Sequence, residues 1–191
     1  PEPPAIPSIE RGDLPDMLAE EGSAALENAR RSLEAGEFAQ ARESALNVIR
    51  RYPGARGSGE ALSILARAAL GLGELSQAME ASLGYLDLFD PSHPAYSEAL
   101  LLRARTLAQG GEGPAAFQTL ARLPPDLGRE ERTEGLEIAR TLAEGAPMEE
   151  LRAALAQMGD THPLRGVFVV ELAVSLYLGG EEAEARALAE Q

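Results

Sequence analysis

The chain has 191 residues and a formal charge of −14, from 31 acidic side chains against 17 basic ones, all of them arginine. That balance argues against nucleic acid as a ligand and against electrostatic adsorption to anionic headgroups. The absence of cysteine excludes disulfides and thiol chemistry and leaves the compartment open. No apolar run reaches the length of a membrane span, and Val167-Phe168-Val169-Val170 is cut by Glu171. Hydrophobic residues make up 45% of the chain but aromatic ones only 4%, so any core must be built from alanine and leucine.

Residues 1–16 contain Pro1, Pro3, Pro4, Pro7 and Pro15. Proline lacks the amide donor and favours extended backbone, which points to a tether or linker. Ile6, Ile9 and Leu14 leave open an arm docked on the first helix. The abrupt opening on Pro1-Glu2-Pro3-Pro4, and an end at Gln191 inside a helical pattern, are expected of a segment whose native chain continues, a following domain included.

From residue 17 onward helices are expected in pairs. Ser23 to Ala35 and Glu37 to Arg51 form the first pair, separated by Gly36. Ser58 to Leu72 and Glu74 to Phe89 form the second, and Pro94 to Gln109 and Pro114 to Leu123 the third. A degenerate fourth hairpin spans 128–158 around Gly145-Ala146-Pro147. The fifth runs from Pro163 to Leu178 and from Glu181 to Gln191. Proline at helix starts and glycine just past helix ends supply the punctuation. Leu62, Leu65, Ala66 and Ala69 fall at i, i+3, i+4 and i+7, one face of an α-helix.

The pairs repeat. Gly36-Glu37-Phe38-Ala39-Gln40-Ala41 returns 37 residues later as Gly73-Glu74-Leu75-Ser76-Gln77-Ala78, and 38 beyond that as Gly111-Glu112-Gly113-Pro114-Ala115-Ala116. Gly180-Glu181-Glu182-Ala183-Glu184-Ala185 lies a further 69 residues on, two periods of about 34 to 35 residues. His93-Pro94 and His162-Pro163 share that offset of 69, so the third and fifth units correspond, with one unit between them. A hairpin of this length cannot bury its apolar face alone, so the fold is expected to be all-α, a solenoid of about five antiparallel helical hairpins. The repeats lie near 22–54, 58–91, 94–125, 128–158 and 163–191.

These residues resemble tetratricopeptide repeats. That family places a small residue midway along the first helix, a glycine at its end, an aromatic or aliphatic residue opening the second helix, another small residue after it, and a closing proline. The first unit matches with Ala29, Gly36, Phe38, Ala41 and Pro53. The second matches with Ala66, Gly73, Leu75 and Ala78, with Pro91 one place late. The third supplies Ala104, Gly111 and Ala116, and the fifth Ala173, Gly180 and Ala185. The Trp and Tyr often found in the first helix are missing, which marks a divergent member. A narrower resemblance rests on Arg51-Tyr52-Pro53-Gly54-Ala55, Glu60-Ala61-Leu62 and the run from Leu86 to Pro94. These are similar to bacterial cell-envelope tetratricopeptide lipoproteins of the BamD and CpoB kind, and to the helical N-terminal region of penicillin-binding protein activators.

No residue group points to catalysis or to a bound cofactor. The two histidines each precede a proline at a helix start and are too few for a metal cluster; a role as loop residues is expected over metal binding. Glu130-Glu131, Glu149-Glu150 and Glu181-Glu182 point about 100° apart on a helix and favour its N-terminal dipole, which makes them solvated helix starts rather than paired acids. No glycine-rich phosphate loop follows a strand, and no serine has a base partner.

One aligned set is a candidate for partner binding. Arg30, Arg67 and Arg105 each lie six residues before a repeat glycine, and Glu60 and Glu98 lie seven residues before Arg67 and Arg105. The family resemblance implies that this place faces the concave groove. The set is either an arginine ladder gripping carboxylates or carbonyls of a peptide or helix, or a row of solvated or mutually paired charges. In the fifth repeat the groove positions become Val167, Val170, Val174 and Tyr177. These form an apolar patch for a following domain, a partner or a dimer mate, or a surface buried against a terminal helix.

The expected function is a non-catalytic scaffold holding a protein or peptide partner in its concave groove, with no nucleic acid and no membrane insertion of this segment. The narrower resemblance implies a periplasmic protein, lipid-anchored to the outer membrane and acting in outer-membrane or peptidoglycan assembly. A cytoplasmic tetratricopeptide adaptor, or the helical accessory region of a larger envelope enzyme such as a lytic transglycosylase, are the alternatives.

Overall fold

A computed structural model describes residues 20–51 and 56–190. The proline-rich segment at residues 1–16 and the Tyr52-Pro53-Gly54-Ala55 run lie outside the described residues. Among the described residues, ten α-helices and no strand occur: α1 Glu20–Glu34, α2 Phe38–Arg51, α3 Arg56–Leu72, α4 Leu75–Leu86, α5 Tyr96–Gln109, α6 Gly113–Leu120, α7 Arg129–Ala143, α8 Met148–Gln157, α9 Arg165–Leu178 and α10 Glu182–Ala189. None is long and apolar enough to cross a membrane. The chain divides into two compact units, with the division between Thr106 and Leu107 inside α5.

The turn inside each hairpin follows from glycine. Gly36, Gly73, Gly111, Gly145 and Gly180 all adopt left-handed backbone, with φ between 73° and 86°. A Cβ there would be strained, so these five positions require glycine. In four of the turns the residue after glycine is glutamate, and its N–H reaches back to the first helix. Glu37 donates to the Ser32 carbonyl, Glu74 to Ala69, Glu112 to Leu107 and Glu181 to Leu176, all at 2.8–2.9 Å. The glycine N–H closes the inner bond, as from Gly73 to Leu70 at 3.1 Å. This is the Schellman arrangement, which satisfies carbonyls that the helix end would leave open. The same glutamate then starts the next helix, because its carbonyl accepts the first helical N–H, from Ala41, Ala78, Ala116 and Ala185 in turn. One residue ends one helix and begins another, which is why the Gly-Glu pair recurs. In the fourth hairpin the N–H of Ala146 bonds to Ala143 instead.

In the first unit α1 packs on α2 and α3, α2 on α3, and α3 on α4. Helix α3 is covered on nearly all sides: Ala61, Leu62, Ile64, Leu65, Ala66, Ala68 and Ala69 are all buried. Small side chains at Ala29, Ala41, Ala66, Ala78 and Ala104 are fully buried and let backbones approach closely. Arg103 on α5 donates to the Met79 carbonyl of α4 at 2.7 Å and to Ser82 Oγ at 3.3 Å. Its partial burial lowers its pKa, and the charge of Asp87 opposes that shift in part.

In the second unit α6 packs on α7 and α8, while α9 packs on α7, α8 and α10. Phe168, Leu172 and Leu176 form the buried stripe of α9. The Phe168 ring meets Phe117 of α6 edge to face, with centroids 5.3 Å apart. Arg165 donates to the Leu155 and Met158 carbonyls at 3.3 and 3.2 Å, which satisfies the C-terminal end of α8.

Several boundaries differ from the sequence pattern. Helix α4 ends at Leu86 rather than Phe89, because Leu88 and Phe89 bond back to Tyr85 and Leu86, three residues earlier, and so tighten the last turn. Helices α5 and α9 begin at Tyr96 and Arg165, two residues after their prolines.

Candidate functional site: a stripe of arginine–glutamate pairs

The aligned charges lie on first helices of the first unit, where Arg30 pairs with Glu60 and Arg67 with Glu98. Arg30 on α1 donates through Nε to Glu60 of α3 at 2.9 Å and also bonds it through Nη2. Its Nη1 reaches Glu27 on its own helix at 2.8 Å. Arg67 on α3 repeats the step one unit later, with Nη2 3.1 Å from Glu98 of α5. Each glutamate therefore serves the arginine of the preceding repeat, 30 or 31 residues earlier, rather than the arginine two turns along its own helix. Arg105 occupies the third aligned place on α5 and is half-buried. Hydrogen bonding to Glu60, then its charge, raises the Arg30 pKa.

These side chains are one third to one half exposed, so each pair contributes at most about 1 kcal/mol to stability. The pairing orients the side chains. Arg30 is held between Glu27 and Glu60, and Arg67 between Ser63 on its own helix and Glu98 of the next repeat. Tyr85 of α4 joins this set. Its phenol is buried, and that burial, with Glu98 beside it, pushes its pKa well above the ordinary range. Tyr85 also meets Phe89 edge to face at 5.0 Å, and Phe89 stacks on His93 at 4.5 Å.

A second set of pairs uses the glutamate of the recurrent turn. Glu74 bonds Arg42 of α2, and Glu181 lies 3.8 Å from Arg152 of α8, which also pairs with Glu184 at 3.0 Å. The recurrence of glutamate after glycine was the signal for this role.

The apolar set lies in the second unit, on α9. Val170, Val174 and Tyr177 are 58%, 48% and 60% exposed, and Leu178, which the spacing argument did not include, is 79% exposed. Val167 is half-buried. Among the described residues nothing covers this stripe.

Both histidines act as local caps. His93 Nδ1 accepts the Ala95 N–H at 3.1 Å, and His162 Nδ1 accepts that of Leu164 at 3.3 Å. His162 Nε2 sits 3.2 Å from the Leu120 carbonyl, so the Nε2–H tautomer satisfies both bonds. Among the described residues no group of three or more His, Asp or Glu side chains could hold a metal. Burial holds the His162 imidazole below its usual range, with the Leu120 bond opposing in part. A folded pKa below the unfolded one, about 6.5, means that stability is present above that value and is lost as pH falls toward the folded pKa. The melting temperature of the native chain is therefore expected to drop faster below about pH 6.5 than that of His162→Gln. Parallel curves would show that this imidazole is not linked to folding.

No protein-family model and no curated protein matches the chain. Solved structures do. A crystal structure of a Podosopora anserina protein assigned to the kinesin light chains, with nearly identical TPR-like repeats, superposes with a TM-score of 0.55 at 21% identity, over 89% of this chain and 92% of that one. Its Q17M form gives a TM-score of 0.56 at 21% identity, over 92% of this chain and 95% of that one. With glycine-closed helical hairpins recurring along the sequence, the chain has the all-α fold of tetratricopeptide-like repeat proteins, the solenoid class.

Proposed function

We propose that the chain is a non-catalytic interaction scaffold, and that Arg30, Arg67 and Arg105, with Glu60 and Glu98, form the surface that meets a protein or peptide partner in a concave groove. The observation that carries this reading is the register of the pairs: Arg30–Glu60 and Arg67–Glu98 are successive, equivalent and half-exposed. Because Arg30 and Arg67 are already neutralised by Glu60 and Glu98, this part of the stripe has little net attraction for a bare anion. It offers alternating donors and acceptors, which an extended or helical polypeptide with its own amides and side chains can match.

The test is capture of the partner by a photo-crosslinking residue at position 34 on α1 in the native host, followed by affinity measurement. The Arg67→Ala/Arg105→Ala double variant is expected to bind about tenfold more weakly, a loss of about 1.4 kcal/mol, and binding is expected to weaken as salt rises. Unchanged affinity in the double variant overturns the role of the stripe. Placement in a bacterial envelope, as an activator or assembly lipoprotein, is supported by the residue pattern from Arg51 to Pro94 and is tested by palmitate labelling of the native protein. A labelled, membrane-bound species supports it, and an unlabelled soluble one favours a cytoplasmic adaptor.

A further inference from the structure

We infer that the exposed stripe of α9 is a self-association surface, which pairs antiparallel with α9 of a second copy of this chain. The argument begins with the repeat register. Ten and six residues before the repeat glycine, α7 carries Gly135 and Ala139, both buried, and α7 packs against α9. At the equivalent ten-residue position α1 carries Leu26, also buried, and α1 packs against α3. This helix edge therefore receives the first helix of the next repeat. On α9 the same edge carries Val170 and Val174, and both are exposed. Valine at position 174 stands where Arg30 and Arg67 stand in the first unit, and valine at 167 where Glu60 and Glu98 stand. The ionic pairing of the earlier repeats is replaced by an apolar seam.

The seam is self-complementary. Val167, Val170, Val174 and Tyr177 are spaced by three, four and three residues, the knob spacing of a two-helix seam. That spacing reads the same in both directions, so a two-fold axis at the level of Leu172 brings Val170 opposite Val174 and Val167 opposite Tyr177. The same axis sets Leu178 opposite Gly166, where a Cβ would have nothing within 4 Å, so an exposed apolar side chain meets open backbone. Glu171 falls opposite Ala173, which avoids a like-charge contact. Head-to-tail stacking on α1 is disfavoured, because its exposed residues include Glu27, Asn28 and Arg31. One helix pair of this length buries less than the roughly 1,200 Å² of stable complexes, so the dimer dissociates in the micromolar range.

The experiment is sedimentation equilibrium of the 191-residue chain from about 5 to about 500 μM, with helix content checked by circular dichroism. The native chain is expected to shift from monomer to dimer, and Val174→Arg to remain monomeric with unchanged helicity. A monomer throughout overturns the inference and leaves the stripe to an occupant other than a second copy. A dimer that survives Val174→Arg places the contact elsewhere and also overturns it. The chain lacks cysteine, so disulfide trapping then tests orientation. Val167→Cys/Tyr177→Cys is expected to cross-link between copies under mild oxidation. Tyr177→Cys alone is not, because the two thiols would lie about 15 Å apart along the axis. Cross-linking of the single variant as efficiently as the double one overturns the antiparallel register.

Discussion

Phe168→Ala is expected to lower the unfolding free energy of the second unit by about 3–5 kcal/mol. The ring is fully buried, on the inner stripe of α9 with Leu172 and Leu176. Helix α9 is the element on which α7, α8 and α10 all pack, so a void beneath it has walls on several sides and limited room to collapse. The edge-to-face contact with Phe117 adds a pair term of about 0.5–1.5 kcal/mol beyond burial. Two measurements separate these contributions. Phe168→Leu keeps most of the volume and loses the ring edge, and is expected to cost less than half as much as alanine. In a cycle with Phe117→Ala, the double variant is expected to cost less than the sum of the singles, because the second truncation no longer breaks the pair. Urea titration followed by amide exchange in α6 and α9 reads both. A cost below about 1 kcal/mol for Phe168→Ala would mean that this ring does not organise the unit.

Much of this architecture was legible because a few backbone demands admit few residues. A left-handed turn that closes one helix and opens the next requires glycine, so Gly36, Gly73, Gly111 and Gly180 mark the hairpins, and Gly145 marks the fourth even where other signals fade. Those signals fade for a packing reason. Seven residues before the glycine the fourth repeat has Ile138, and five after it Glu150, where the other repeats place alanine. Helix ends were less legible, since the tightened turn after Leu86 depends on bonds from Leu88 and Phe89 that no periodicity signals.

The candidate stripe divides in the same way. Alignment placed Arg30, Arg67, Glu60 and Glu98 in register, because register is a property of sequence. It did not show that each glutamate serves the preceding repeat, because that depends on how α1, α3 and α5 are offset in space. Tyr85 was missed because its equivalents in the first and third repeats, Val48 and Leu123, carry no hydroxyl. Leu178 was missed because its place is taken by Glu34, Gly71 and Gln109 in the first three repeats, none of them apolar side chains.

Ala66→Leu tests whether small residues set the helix spacing. Leucine and alanine differ little in helix propensity, so the substitution leaves the local preference of α3 nearly unchanged. Any large effect must come from packing. Ala66 is fully buried, on a helix covered by α1, α2 and α4, and its counterparts Ala29 and Ala104 are equally buried. Three added carbons must push neighbouring backbones apart or force strained rotamers, at an expected cost of about 1–3 kcal/mol. The matched control is Ala39→Leu on the exposed side of α2, expected to change stability by no more than about 0.5 kcal/mol. Ile138 shows that the position is not closed to large side chains everywhere. It is buried in α7, one turn after Gly135, whose missing side chain reduces crowding on the same helix. In α3 the corresponding place, three residues before Ala66, is Ser63, which is also buried and has a side chain to accommodate. Equal stability of the two leucine variants in thermal melts would show that α3 has room beside Ala66, and that alanine in this register reflects composition rather than contact. A loss confined to Ala66→Leu would tie the recurring small residue to the distance between stacked helices.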